Sequence, residues 1–258
     1  MLLAMAGLTL DLSLEGGAEE LLAPRLAQYL CQGAASLKLR LCADPGFPET
    51  FEPLVVRAQG PDRFEVREGG MEGRIGPREA ELVARGGVEA LWAALRLACA
   101  LWLLQRGSLL FHGACVEERG LAHAFLGPSG AGKTTLAGRL SARIISDEVT
   151  CASASLRVFG HPFRSKLGDG QAPRGGIALG SLSLLSHAPP GEGPRSRLLG
   201  KAEAARALLA RIFLPVRDAA SLQAALRIVG SLAEGLDVHA LSLPFDDRAA
   251  AFALEERP

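Results

Sequence analysis

The sequence predicts an α+β protein in two parts, a strand-rich first third and a larger remainder that carries the chemistry. Three observations point there. Before residue 80, short apolar–polar alternations are separated by Gly, Pro and Asp clusters, with a single helix-spaced run among them. "LWAALRLACALWLL" (91–104) is then apolar at almost every position, as a helix buried in a core is. Beyond it, "LLFHGACVEERGLAHAFLGPSGAGKTT" (109–135) holds two strand-like runs separated by Glu117-Glu118-Arg119-Gly120, and ends in a glycine-rich loop. That stretch reads as a β-hairpin feeding a phosphate cradle.

Taken in order, "MLLAMAGLTL" lacks the basic start of a signal peptide and is expected to open the first strand, with alternation from Gly7 to Leu14. Leu21, Leu22, Leu26 and Leu30 then fall at helical spacing, with Pro24 in the first turns, where proline is tolerated. "SLKLRL" (36–41), "PLVVRA" (53–58) and "RFEVREGG" (63–70) read as strands, and "MEGRIG" as the return arm of a hairpin across Gly69-Gly70. These segments make a small antiparallel α+β domain, residues 1–84. A helix from Pro77 through Arg85 and a long one from Val88 to Gln105 lead into the second domain, residues 85–258. After the glycine loop the pattern gives a short helix (Thr134–Ser141), a strand "RIISDEVT" (143–150), a strand within "SLRVFGHPF" (155–163) and a strand "IALGSLSLL" (177–185). Residues 164–176 and 187–200 read as loops. Two amphipathic helices (201–213 and 218–235), a strand (238–245) and a closing helix with Asp246 or Asp247 as N-cap complete the chain.

Composition narrows the function. The 258 residues are 48% hydrophobic and 22% charged, enough to bury an ample core. Basic and acidic residues balance at 28 each, without the excess that general binding to nucleic acid or anionic membrane requires. The apolar run at 91–104 is shorter than the ~20 residues of a membrane span, and Arg96 interrupts it. The five cysteines (Cys31, Cys42, Cys99, Cys115, Cys151) are widely spaced and contain no C-x-x-C, so reduced thiols in a cytoplasmic protein are expected rather than disulfides or zinc.

Gly127-Pro128-Ser129-Gly130-Ala131-Gly132-Lys133-Thr134 matches G-x-x-x-x-G-K-[ST]. Its glycines let successive N–H groups face a phosphate, while Lys133 reaches the β- and γ-phosphates and the Thr134 hydroxyl is suited to Mg²⁺. A helix from Lys133 climbs about 13 Å, and a strand from Arg143 returns about the same distance by Asp147. A right-handed crossover would lay that strand beside the one that feeds the loop. Asp147 is therefore expected level with the phosphates, as a metal ligand or proton acceptor, with Glu148 on the opposite face unless a bulge turns it inward. With the hairpin turn centred on Glu118-Arg119, His112 would face Phe125, beside the phosphate end. Arg164, with Lys166 and Arg174, is a candidate clamp for an anionic group. His123, His187 and His239 are expected in core or surface roles.

The run "LLFHGACVEERGLAHAFLGPSGAGKTTLAGRL" followed by "ISDEVT" resembles the HPr serine kinase family, particularly its shorter HPr kinase-like relatives. Those carry a histidine on the strand before the loop hairpin, a G-x-S-G-x-G-K-[ST] loop and an acidic pair on the next strand. The similarity spans about residues 88 to 255 and is strongest from 107 to 150. It implies the mixed-sheet fold shared with ATP-dependent phosphoenolpyruvate carboxykinase, which accounts for a hairpin where most P-loops follow a parallel strand. It further implies ATP and Mg²⁺ held by residues 127 through Thr135, Asp147 as the base that activates an acceptor hydroxyl, and His112 supporting the phosphoryl group. The acceptor would be a peptide or protein serine or a small-molecule alcohol, and homo-oligomers are known in the family. The acidic pair here is Asp-Glu rather than Asp-Asp, Thr135 stands where HPr kinases often have glutamate, and a chain without asparagine cannot complete the signature of the bifunctional kinase/phosphorylases. An ATPase or nucleotide switch acting on a protein partner is the alternative, although the guanine-reading [NT]-K-x-D is absent.

Overall fold

In the computed structural model, residues 1–44, 54–60, 62–67, 70–163, 167, 172–173, 175–244 and 248–254 are described. The protein is α+β, with two mixed sheets and six α-helices among those residues. The chain divides into two compact units, Met1–Arg106 with Leu214–Ala224, and Gly107–Phe213 with Ala225–Pro258.

The first unit holds a seven-stranded sheet in the order β1-β2-β3-β7-β6-β5-β4. Its strands are β1 (Leu2–Met5), β2 (Leu8–Glu15), β3 (Leu37–Asp44), β4 (Val55–Gly60), β5 (Arg63–Arg67), β6 (Met71–Ile75) and β7 (Glu79–Arg85). The apolar start is two strands rather than one, because Ala6 and Gly7 both take left-handed φ and turn the chain back. The sheet is not antiparallel throughout: β2 pairs parallel with β3, and β3 parallel with β7. Helix α1 (Ala18–Leu26) supplies the crossover between β2 and β3, and Pro24 lies near its end rather than in its first turns.

The segment expected to be helical from Pro77 to Arg85 is the strand β7. Glu and Ala favour helix, but Ala80, Leu82 and Ala84 alternate into the core while Glu79 and Glu81 stay exposed, and both edges of the strand are paired. Helix α2 (Val88–Gln105) is where the sequence put it. It packs on β3, β6 and β7, and the Trp102 indole donates to the Gly76 carbonyl at 2.8 Å. That packing groups α2 with the first unit, so the division falls at Gly107 rather than at residue 85. The helix has the length and hydropathy of a membrane span, yet 67% of it is buried in the protein.

The second unit holds β8 (Ser108–Glu118), β9 (Leu121–Leu126), β10 (Arg143–Ser146), β11 (Val149–Ser153), β12 (Arg157–Phe159), β13 (Ile177–His187), β14 (Arg195–Leu198) and β15 (Val238–Leu243). Its helices are α3 (Lys133–Arg139), α4 (Lys201–Leu209) and α6 (Arg248–Ala253), and the later part of α5 (Ala219–Gly235) belongs here as well. Strands β9, β13 and β15 run parallel, β8 is antiparallel to β9, and β12 links β11 to β13. Pairing thus closes a circuit through β8, β9, β13, β12 and β11. Leu136 and Ala137 of α3 pack with Ala114, Val116, Phe125, Leu185 and Leu241, which fixes α3 against the strands that carry the glycine loop. The expected N-cap, Asp246 or Asp247, lies outside the described residues.

Candidate active site

The hairpin forms, but its turn is Arg119-Gly120. Both residues have left-handed φ, 52° and 81°, and Gly120 is the residue that meets this demand at no steric cost. Glu118 therefore pairs with Leu121, and Ala114, not His112, faces Phe125. The register correction moves His112 one step past Gly113, whose partner is Leu126, to the level of Gly127. Gly127 is required there, since a Cβ at this position would sit 2.8 Å from the Leu185 carbonyl of β13.

At the loop's end Lys133 is buried, 6% exposed, and its ammonium donates to the carbonyls of Gly127 (2.9 Å) and Pro128 (2.7 Å). Burial lowers its pKa, the Arg211 charge lowers it further, and Glu148 opposes both. Pro128, Ser129 and Gly130 are exposed, Ala131 is buried, and Thr135 is exposed on the first turn of α3. His187, at the end of β13, donates from Nε2 to the Gly130 carbonyl at 2.6 Å, a contact with the loop that its sequence position did not announce.

The strand carrying the acidic pair does not lie beside β9. Instead β10 and β11 pair antiparallel with β8, so β8 stands between them and the loop strand. The hairpin explains this, because the position next to β9 is already taken by β8 on one side and β13 on the other. Asp147 and Glu148 occupy the bend between β10 and β11, and the Gly113 N–H donates to the Glu148 carbonyl at 3.1 Å. Asp147 is 1% exposed, and its backbone carbonyl accepts from the Thr134 hydroxyl at 3.1 Å. The acidic pair is thus level with the first turn of α3. The Glu148 charge reaches both Lys133 and His112.

His112 is at the surface, in register with Val149, yet its neighbours strip part of its hydration and lower its pKa below the ordinary value. The Lys133 and Arg211 charges act in the same direction, while the Glu148 charge and a hydrogen bond to the Glu148 backbone oppose them. These influences together favour the neutral form of the ring. Its backbone N–H donates to the Arg211 carbonyl at 2.8 Å. Arg211 was not singled out by the sequence, which offers only an arginine at the end of an amphipathic run.

The remaining histidines are engaged. His123 and His239 meet Ser181 and Ser196, each at 2.9 Å. His161 accepts from the Phe163 N–H at Nδ1, which leaves Nε2 to donate to the Val149 carbonyl at 2.8 Å. Arg164, Lys166 and Arg174 lie outside the described residues. All five cysteines are free thiols.

Thr134 and the acidic pair offer hard oxygen donors beside a phosphate-type loop, a set that fits Mg²⁺, which is commonly held by one or two protein oxygens together with substrate phosphates. No protein-family model matches the chain, and no curated protein matches it.

Proposed function

We propose that the protein is an ATP-dependent kinase of the HPr kinase-like type, transferring the γ-phosphoryl group to a hydroxyl acceptor. The observation that carries the reading is the position of the 147–148 bend at the first turn after the glycine loop, tied to it by the Thr134 hydroxyl, with the Glu148 charge acting on both Lys133 and His112.

Transfer through a loose transition state leaves the protein to position groups and stabilise charge. Lys133, now on two loop carbonyls, exchanges them for phosphate oxygens. Thr134 and Asp147 would hold Mg²⁺, which would supply charge neutralisation to the nucleotide phosphates. The neutral His112 imidazole donates a hydrogen bond to the group in flight. The resemblance implies Asp147 as the base. Asp147 is buried, whereas Glu148 is partly exposed and its charge acts on the reacting end, so Glu148 takes the acceptor's proton in our reading.

Paired variants test this with ATP consumption and calorimetric nucleotide binding. Glu148→Gln should bind MgATP normally and stop turnover, while Asp147→Asn should raise the Mg²⁺ concentration needed. If Asp147→Asn alone stops turnover at unchanged Mg²⁺ dependence, the base returns to Asp147. If neither change affects consumption, the kinase chemistry is wrong. The switch alternative requires partner-stimulated hydrolysis with no acceptor phosphorylated.

A further inference from the structure

The glycine loop accounts for Lys133, but a second cation stands at the same place with no partner in that account. After α4 the chain turns at Ala210 and runs back along β8. The Arg211 carbonyl accepts from the His112 N–H at 2.8 Å, the Phe213 N–H donates to the Leu110 carbonyl at 2.7 Å, and Phe111 bridges Ile212 in antiparallel fashion. This short segment takes the edge of β8 that β9 gives up beyond Leu126, where the chain departs into the glycine loop. Arg211 is thereby fixed by backbone bonds beside His112, at the level of Gly127.

Its side chain is placed at a cost. The Nε atom is buried without a hydrogen-bond partner, and among the described residues Arg211 forms no ion pair. Among the described residues its side-chain bond is a long contact of 3.4 Å from a terminal nitrogen to the Ala210 carbonyl. Its charge also opposes that of Lys133. Lys133 and Arg211 thus bring two positive charges to the end of the loop, and Glu148 is the carboxylate whose charge acts on Lys133. A guanidinium with an unused, partly desolvated donor next to a phosphate cradle is matched by a phosphoryl oxygen, which its planar fork binds better than an ammonium does.

We propose that Arg211 is a built-in arginine for the terminal phosphoryl group, supplying from within the chain the charge that some phosphoryl-transfer proteins receive from a partner. The assignment rests on the kinase reading, because it presumes a nucleoside triphosphate on the loop. It predicts discrimination: Arg211 acts on the γ-phosphate, whereas the loop itself holds the β-phosphate and serves di- and triphosphate alike.

The test is calorimetric titration of the full chain with MgATP and with MgADP, for the natural protein and for Arg211→Met, which keeps the apolar stem. The expected result is a loss of about tenfold to a hundredfold in MgATP affinity with MgADP affinity unchanged. Arg211→Lys should recover only part of the loss. Equal affinities in variant and natural protein would overturn the proposal and leave the kinase reading standing. An equal loss for both nucleotides in a variant of unaltered melting temperature would also overturn it, since the arginine would then be a general phosphate ligand. Failure of the natural protein to bind either nucleotide would remove both the proposal and the reading beneath it. Should Arg211→Met fold poorly, the same comparison is made with Arg211→Gln, in which the backbone bonds to β8 are equally retained.

Discussion

Each unit gathers charge at one place, and the two clusters differ: Arg40 of the first is held by carboxylates, whereas Lys133 of the second is held by carbonyls. On the open face of the first unit's sheet, a cavity of about 850 Å³ is lined by Asp11, Lys38, Arg40, Glu65, Glu79 and Glu81 among others. There Arg40 on β3 makes two bonds to Glu15 on β2, at 2.7 and 2.8 Å, and a third to Glu81 on β7 at 2.7 Å. The bonds from Arg40 hold the Glu15 carboxyl below its ordinary range, and the bonds to Glu15 push the guanidinium up. Arg40 thus finds its complement in two carboxylates at the surface. In the second unit Lys133 donates to neutral carbonyls, its pKa is pulled down by burial and by Arg211, and the Glu148 charge opposes that shift. Around Arg40 the charges are matched. At the glycine loop neither Lys133 nor Arg211 forms an ion pair among the described residues.

Breaking the unmatched cluster should have the largest effect. Lys133→Ala removes the ammonium that the loop carbonyls orient, and MgATP turnover should fall below detection, as followed by phosphate release or acceptor labelling. Unchanged turnover would mean the loop is not the reaction site. The next effect is structural and belongs to the first unit. Leu82 is fully buried in β7, so Leu82→Ala should cost about 2–5 kcal/mol in chemical denaturation. A cost well under 1 kcal/mol would contradict the placement of 79–85 as a central strand.

A subtler prediction concerns His112. Its folded-state pKa lies below the ordinary value of 6.5. Below 6.5 the unfolded chain binds the proton first, so stability falls as pH drops through the interval between the two values and is fully present above 6.5. His112→Gln cannot titrate, and its melting temperature should lose this acid-side dependence. A difference between the two proteins that is the same at pH 5 and pH 8 would contradict the argument. The smallest effect is expected at the matched cluster: Arg40→Met should shift the melting temperature little, and added salt should erase even that shift, since exposed ion pairs are weak and screened.

Much of the second unit was legible because its signals are local. The hairpin, the glycine loop and α3 follow from composition and spacing over a few residues, whereas the expected strand 143–150 is broken at Asp147-Glu148 into β10 and β11. The turn itself was misplaced by one residue, although Gly120 marks the position that needs left-handed φ. The first unit was harder to read. Residues 79–85 contain good helix formers, and only pairing on both edges with β3 and β6 makes them a strand. The parallel pairing of β2 with β3 likewise depends on α1 acting as a crossover, a fact about connection rather than composition.

The sequence by itself determined a glycine cradle with its lysine and hydroxyl, a histidine on the preceding strand and an acidic pair one helix later. Each depends on backbone conformation or spacing within a short stretch, which side-chain identity controls directly. Tertiary structure alone decided which strand stands between the acids and the loop, which acid's charge reaches the lysine, and that Arg211 arrives beside His112 from 99 residues away along the chain. These are consequences of strand order and edge pairing, and the hydrogen bonds that set them are made by backbone groups common to every residue, so no local pattern of side chains records them.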